Sequence, residues 1–326
     1  MISELLSGLG IGLLFGYAVQ RGRFCMNSAF RDIVLFKDLT LFRAYILALL
    51  VQMIAVHLLA QWNVITPTIP PFFWLAASLG GFFFGIGMTF AGGCATSSWY
   101  RIGEGMVGSF LAILGFALSA AATYHGILRP LLVLLRRPRI TVGGEAATMA
   151  NILGTNEWVI ILILSTLGGL WFSRSSKPTR QQGWSWITTG LVVGLITAAA
   201  WVASGFVGRS YGLSIAQPTS DLLITLTDSN ASGFDWGMFS VLGIPLGSLL
   251  ASTRSGECRL RAPHASRLLQ QFGGGVLMGI GGAISGGCNV SHGLTGLAVL
   301  SMNSLVATLS LIGGVWATTY FLFMRE

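Results

Sequence analysis

Nine apolar stretches run through this 326-residue chain, and they leave few folds open to it. Each is close to the roughly 20 residues needed to cross a hydrocarbon core of about 30 Å. They cover residues 4–20, 42–62, 72–91, 106–128, 157–173, 186–204, 236–252, 268–286 and 303–323. Between them the polar supply is thin: 53% of residues are hydrophobic, 9% are charged and the mean hydropathy is +0.73. A soluble domain carries roughly 25% charged residues, so this chain could not cover a water-facing surface. The same numbers exclude a disordered chain, and four cysteines exclude a disulfide-rich secreted module. An all-α integral membrane protein is expected, a single transmembrane domain over 1–326.

The loops set its direction. Lys/Arg clusters follow span 1 (Arg21, Arg23, Arg31, Lys37), span 5 (Arg174, Lys177, Arg180) and span 7 (Arg254, Arg259, Arg261, Arg267), and Arg325 follows span 9. An N-terminus outside puts all four groups in the cytoplasm, and the loop with Asp221, Asp228 and Asp235 outside, as the positive-inside rule prefers. The net charge of +8 therefore reads as orientation rather than as a nucleic-acid surface. Arg136, Arg137 and Arg139 break the pattern. Either a re-entrant segment changes the count, or they form an external basic patch. Met1–Glu4 lacks a basic n-region, which argues against a cleaved signal peptide.

The halves resemble each other. Gly80-Gly81-x3-Gly85-Ile86-Gly87-x4-Gly92-Gly93-Cys94 recurs as Gly274-Gly275-x3-Gly279-Ile280-Gly281-x4-Gly286-Gly287-Cys288, each element displaced by 194, and Ser97 maps to Ser291. A weaker match sets Gly22-Arg23-x4-Ser28 on Gly208-Arg209-x4-Ser214. Spans 1–4 (residues 1–130) thus correspond to spans 6–9 (residues 184–326), with span 5 as connector. Equivalent spans are five apart, so the halves sit in opposite orientations, the inverted-repeat plan in which transporters place substrate near the midplane.

Spacings such as Gly12/Gly16, Gly81/Gly85 and Gly275/Gly279 serve close helix packing in lipid. Gly92-Gly93 and Gly286-Gly287 differ. Each ends an apolar stretch and precedes a short polar run, Cys94-Ala-Thr-Ser-Ser or Cys288-Asn-Val-Ser-His. A helix break near the midplane is tolerable where backbone lines a cavity, and the helix restarting after it presents free N–H groups suited to an anion. Two such breaks would bring Cys94 and Cys288 near one another. Buried cysteine is commonly a small hydrophobe; the duplicated slot argues for more here. Cys25 has Tyr211 as its counterpart, and Cys258 reads as incidental. His292 beside the second break reads as a cap or packing residue. No Cys-x-x-Cys, Cys/His metal spacing, His-Glu-x-x-His or phosphate-binding loop occurs, so no metal or cofactor is expected. Intramembrane acids are scarce, which weakens a proton relay.

Gly22-Arg23-Phe24-Cys25 together with the two Gly-Gly-Cys segments resembles the YeeE/YedE sulfur-transport family, over nearly the whole chain, and its thiosulfate-importing TsuA-type branch. That resemblance implies a bacterial inner-membrane transporter, not an enzyme, importing thiosulfate. Cys94, Cys288 and Cys25 would contact the ion in succession along a central path. It also implies a small cytoplasmic sulfur carrier of the YeeD/TusA type as partner. Relatives associated with selenium leave another sulfur or selenium species open, and a membrane thiol–disulfide oxidoreductase using Cys94 and Cys288 is the other alternative. A thiosulfate dianion must exchange water for placed donors. The expected substrate contacts are Cys25, Cys94, Cys288, Gly92, Gly93, Gly286, Gly287, Ser97, Asn289 and Ser291. Neutral thiols are expected, since thiolates would repel a dianion, and weak repeated contacts suit release as well as binding.

Overall fold

The computed structural model describes residues 2–174, 183–227 and 233–324. Lys177, Arg180, Asp228 and Arg325, used above for orientation, lie outside the described residues. In chain order the helices are α1 (Ile2–Arg21), α2 (Met26–Leu35), α3 (Thr40–Gln61), α4 (Trp74–Ala91), α5 (Ala95–Gly103), α6 (Val107–Tyr124) and α7 (Arg129–Leu135). After a two-residue antiparallel pair, β1 (Thr141–Val142) with β2 (Glu145–Ala146), come α8 (Met149–Leu153) and α9 (Glu157–Ser173). The second half holds α10 (Trp186–Gly205), α11 (Ala216–Thr227), α12 (Trp236–Arg254), α13 (Ala265–Ser285), a π-helical segment Ser291–Gly296 and α14 (Met302–Phe323).

Among the described residues seven helical stretches are long and apolar enough to cross a membrane, where the sequence led us to expect nine: Ile2–Leu35, Thr40–Gln61, Trp74–Gly103, Val107–Tyr124, Trp186–Gly205, Trp236–Arg254 and Met302–Phe323. The two expected spans outside this set have identifiable reasons. α9 has 17 residues. α13 carries Arg267, Gln270 and Gln271 at its start and many glycines after them, which dilute its apolar character. The protein is a multi-pass membrane protein, and its burial pattern agrees with lipid as solvent. Leu162, Leu195, Leu249 and Leu309 face outward, while Thr197, Ser240, Ser248, Ser252 and Thr319 are buried.

Helix starts follow local chemistry: the side-chain oxygens of Asn156, Ser185, Asp235 and Ser301 accept from backbone N–H groups in the first turns of α9, α10, α12 and α14. Pairwise packing then alternates between halves. α1 lies on α12 and α10 on α3; α13 lies on α6 and α4 on α14; α4 also crosses α13, and α1 touches α10. Small residues make these crossings possible. A Cβ on Gly80 would stand 2.5 Å from the Ser285 amide nitrogen, and one on Gly281 2.5 Å from the Phe84 amide nitrogen. Backbone meets backbone there, as membrane helices require for dense van der Waals contact.

The basic stretch after α6 is not a bare loop. Residues 129–156 fold into α7, the β1–β2 pair and α8, and the Met149 and Met302 amides donate to the Leu300 and Ala147 carbonyls. Arg136 turns inward: Nη2 donates to the Ala283 carbonyl at 2.7 Å and Nε to the Ile284 carbonyl at 3.3 Å, with the guanidinium over the Phe73 ring. It caps the C-terminus of α13, so surface charge in this cluster rests with the exposed Arg137 and Arg139.

Candidate functional site

Each Gly-Gly-Cys segment separates two helices in space. α4 stops at Ala91, Gly92 takes the left-handed conformation (φ 72°), and Cys94 is the extended N-cap of α5. α13 stops at Ser285, Gly286 is left-handed (φ 94°), and helix resumes beyond Cys288, passing through the π-helical turn. For an L-residue the left-handed conformation costs roughly 1–2 kcal/mol, which is why glycine occupies Gly92 and Gly286. The second glycines do a different job. A Cβ at Gly93 would come within 2.5 Å of Ser97 Oγ and 3.0 Å of Arg101 Nη1; one at Gly287 would lie 3.3 Å from Ser291 Oγ and 3.1 Å from His292 Nε2. Neither turn has room for a side chain at its second glycine, where a serine and a nitrogen close on the bare backbone.

Irregular backbone in an apolar interior needs partners, and side chains from both halves supply them. The Ser248 hydroxyl on α12 donates to the Tyr100 carbonyl (2.6 Å) and Ser252 to that of Gly103 (3.3 Å), anchoring α5. On the second segment, Tyr45 donates to the Gly293 carbonyl (2.9 Å), Tyr211 to that of Ser291 (2.9 Å), and Thr295 to that of Leu213 (2.7 Å).

Of the predicted site residues, Cys25 and Cys94 meet. Their sulfurs are 4.0 Å apart, well beyond a disulfide bond, and both are buried free thiols. Ser97 joins them: its Oγ is 3.3 Å from Cys25 Sγ and donates to the Cys94 carbonyl at 3.0 Å, and its amide donates to Cys94 Sγ at 3.4 Å. Cys288 lies in a second group, 3.3 Å from Ser291 Oγ, which is 3.0 Å from Ser214 Oγ. The two groups touch through residues adjacent to their cysteines, as Asn289 Nδ2 reaches Met26 Sδ at 3.2 Å. Asn289 Oδ1 and Thr96 Oγ1 are buried without a hydrogen-bond partner among the described residues. Cys258 is exposed in the loop after α12, apart from both groups.

Cavities open beyond each group. One of about 410 Å³ is lined by Arg209, Tyr211, Ser214, Asp221, Gly286 and His292, and reaches Glu4 at the start of α1. Another of about 200 Å³, lined by Arg23, Glu104, Met106, Glu257 and Arg261, lies at the end of α1. Twenty helical residues separate those ends by about 30 Å. A third cavity, of about 510 Å³, is lined in part by Gly92, Arg31, Arg267 and Gln271.

Just before Cys25 in the chain, opposite charges form a lock. Arg23 Nη1 pairs with Glu104 Oε1 (2.9 Å) and Nη2 with Glu257 Oε1 (2.8 Å), while Gln20 Nε2 donates to Glu104 (3.0 Å) and Glu257 (2.8 Å). Burial raises the Glu257 carboxyl, but hydrogen bonds from Gln20 and Ser255 and the Arg23 guanidinium outweigh it and hold it below the usual carboxylate range. A depressed carboxyl adds stability above its unfolded value of about 4.3 and loses it as pH falls through the folded value. The thermal stability of detergent-solubilised protein is therefore expected to fall from about pH 5 to 3, with a shallower slope in Glu257→Gln. Equal slopes would remove Glu257 from this lock. At the opposite end Arg209, the counterpart of Arg23, pairs with Asp235 at 3.0 Å and covers the Trp236 ring.

Sequence reasoning missed Met26, Ser214, Gln20 and Glu257, and read His292 as a cap or packing residue. The weaker repeat match already contained Ser214, which was the available signal. The polar residues of the lock come from distant stretches and carry no motif.

Residues 21–317 match the family described as Sulphur transport. The chain is 34% identical to the thiosulfate transporter TsuA of Escherichia coli (strain K12), covering all of this chain and 96% of that protein. It is 35% identical to the thiosulfate transporter TsuA of Spirochaeta thermophila, covering 98% and 99%. Over 105 residues it is 35% identical to the probable transporter YedE of Salmonella typhimurium, covering 32% of this chain and 24% of that protein.

Proposed function

The chain belongs to the sulphur-transport family, and from that premise we propose that it imports thiosulfate across a bacterial inner membrane, through a path on which Cys288, Cys94 and Cys25 contact the ion in turn. The observation that supports this reading is the contact between the two thiol groups, one joined through Ser214 to the cavity at the start of α1 and the other just beyond the end of α1, where the second cavity lies. The family match and the full-length similarity to two thiosulfate transporters support the ligand.

The proposed architecture is an inverted repeat of 1–130 and 184–326 around α9, with α9 and α13 counted among nine crossings, the N-terminus periplasmic and the C-terminus cytoplasmic. Its support is the exchange of contacts between halves. α1 on α12 has its counterpart in α10 on α3, and α13 on α6 in α4 on α14. The sulfur groups correspond as well: Cys25 beside Ser97, and Tyr211 with Ser214 beside Ser291.

In this reading thiosulfate enters the cavity at the start of α1 past Arg209 and trades water for Ser214, Ser291 and the Cys288 thiol. Met26 and Asn289 form the constriction between groups, a soft sulfur and an amide that yield as the ion passes. The Cys94 and Cys25 thiols, with Ser97, then take its terminal sulfur. S–H donors are weak, so each contact releases what it holds. The carboxylates around Arg23 face the ion last and must part before exit, which makes the lock a barrier to leakage. A small sulfur carrier would receive the ion there, beside the loop that bears Arg259 and Arg261. The oxidoreductase alternative paired Cys94 with Cys288, whereas Cys25 faces Cys94 and Cys288 faces hydroxyls.

The test is growth rescue. Bacteria lacking other sulfur importers and expressing this chain are expected to grow on thiosulfate and not on sulfate, with radiolabelled thiosulfate uptake undiminished by excess sulfate. Failure on thiosulfate with the protein present in the membrane would overturn the assignment, and competition by selenium oxyanions would move it to the other branch.

A further inference from the structure

The imidazole of His292 is 3% exposed and borders the cavity of about 410 Å³ beside Gly286. Its Nδ1 lies 3.2 Å from Ser304 Oγ, while Nε2 is fully buried with no hydrogen-bond partner among the described residues. Leaving such a group unpaired is costly, so its place needs a reason. The cavity it borders supplies one. At Gly287 a Cβ would lie 2.7 Å from Ser291 Cβ, 3.1 Å from Nε2 and 3.3 Å from Ser291 Oγ, so a bare glycine lets Ser291 and His292 close on this turn next to Cys288. His292 also sits in the π-helical turn, a rare geometry that concentrates at functional sites.

The first turn has its nitrogen already engaged, since Arg101 Nη1 donates to the Gly92 carbonyl at 2.7 Å. The second turn keeps its nitrogen open. Ser304 Oγ has no acceptor other than Nδ1 among the described bonds, so we assign its hydroxyl proton to that contact and the ring proton to Nε2. The imidazole then presents an N–H at the cavity it borders.

We propose that His292 is a specificity-determining contact of the transported ion: Nε2–H and the Ser291 hydroxyl bind oxygens at the sulfonate end of thiosulfate while Cys288 meets its terminal sulfur. This rests on the thiosulfate reading above and adds the group that recognises the other end of the ion. The same arrangement needs glycine at Gly287, since a methyl there would stand 2.7 Å from Ser291 Cβ and displace Ser291 and His292.

The experiment uses purified full-length protein, titrated with sodium thiosulfate and assayed for uptake after reconstitution in liposomes. His292→Gln keeps an N–H near Nε2; His292→Asn keeps one near Nδ1 alone. Loss of one charge-assisted hydrogen bond is about a tenfold effect. His292→Asn is therefore expected to raise Kd and KM about tenfold with kcat within about twofold, and His292→Gln to restore both to within about threefold. Wild-type Kd in His292→Asn, with binding lost in Cys288→Ser, would overturn the histidine contact and leave the transporter reading standing. Lost binding in a folded, monodisperse His292→Gln would likewise overturn it. If the unmodified protein binds no thiosulfate, both proposals fall together.

Discussion

Cells that take up thiosulfate only through this chain are expected to lose about nine-tenths of that uptake when Cys94 or Cys288 is replaced by serine. Serine keeps a hydroxyl donor of similar shape, so helix geometry should survive: Cys94 caps α5 through its sulfur, a place where serine is a favoured residue. What changes is the match to sulfur. A hydroxyl is a stronger, harder donor than a thiol and competes for Ser97 or Ser291, each 3.3 Å or less from a group it could satisfy. A tenfold loss corresponds to about 1.4 kcal/mol, the size of one contact made poorer. Near-normal uptake in both variants, at equal membrane abundance, would end the succession of thiol contacts. The assay belongs under reducing conditions, because Cys25 and Cys94 are neighbours and free.

The largest structural effect is expected where α4 crosses α13. Gly281→Val would press three new carbons into the backbone of Phe84 and the carbonyl of Gly80, the latter 2.6 Å from the ideal Cβ position. Overpacking commonly costs about 1–3 kcal/mol. Here the opposing atoms are main chain from another helix, so the cost lies at or above that range, and folded monodisperse protein is expected to fall about tenfold or more. Gly273→Ala is the control on the same helix. Nothing stands within 4 Å of its Cβ position, and alanine raises helix propensity by up to about 1 kcal/mol, so its unfolding temperature should hold or rise. Equal yields for the two variants would mean that the crossing is looser than its geometry implies.

Much of this was legible in the residues. Apolar length marked the helices to within a few positions, as in Thr40–Gln61 for the expected 42–62 and Met302–Phe323 for 303–323. Where the reading fell short, the cause was local composition. α13 hides its length behind Gln270, Gln271 and its glycines, and the stretch after α6 concealed two short helices and a strand pair among its arginines. The left-handed turns were foreshadowed because two adjacent glycines at the end of an apolar run have few other uses.

The partners were not legible. That Cys25 meets Cys94 could not be read from the chain, since distance along it says nothing about which thiols face each other across a bundle. The lock joins Gln20, Arg23, Glu104 and Glu257 from three separate stretches, and Arg136, which reads as a surface charge, spends its guanidinium on the last carbonyls of α13. The amino-acid order alone decided the solvent, the helices and their interruptions, because hydrophobic length and glycine conformation act within a few residues of the chain. Which sulfurs, hydroxyls and charges converge was decided by how the helices pack, for those contacts exist only after glycine-lined faces from both halves have closed on one another.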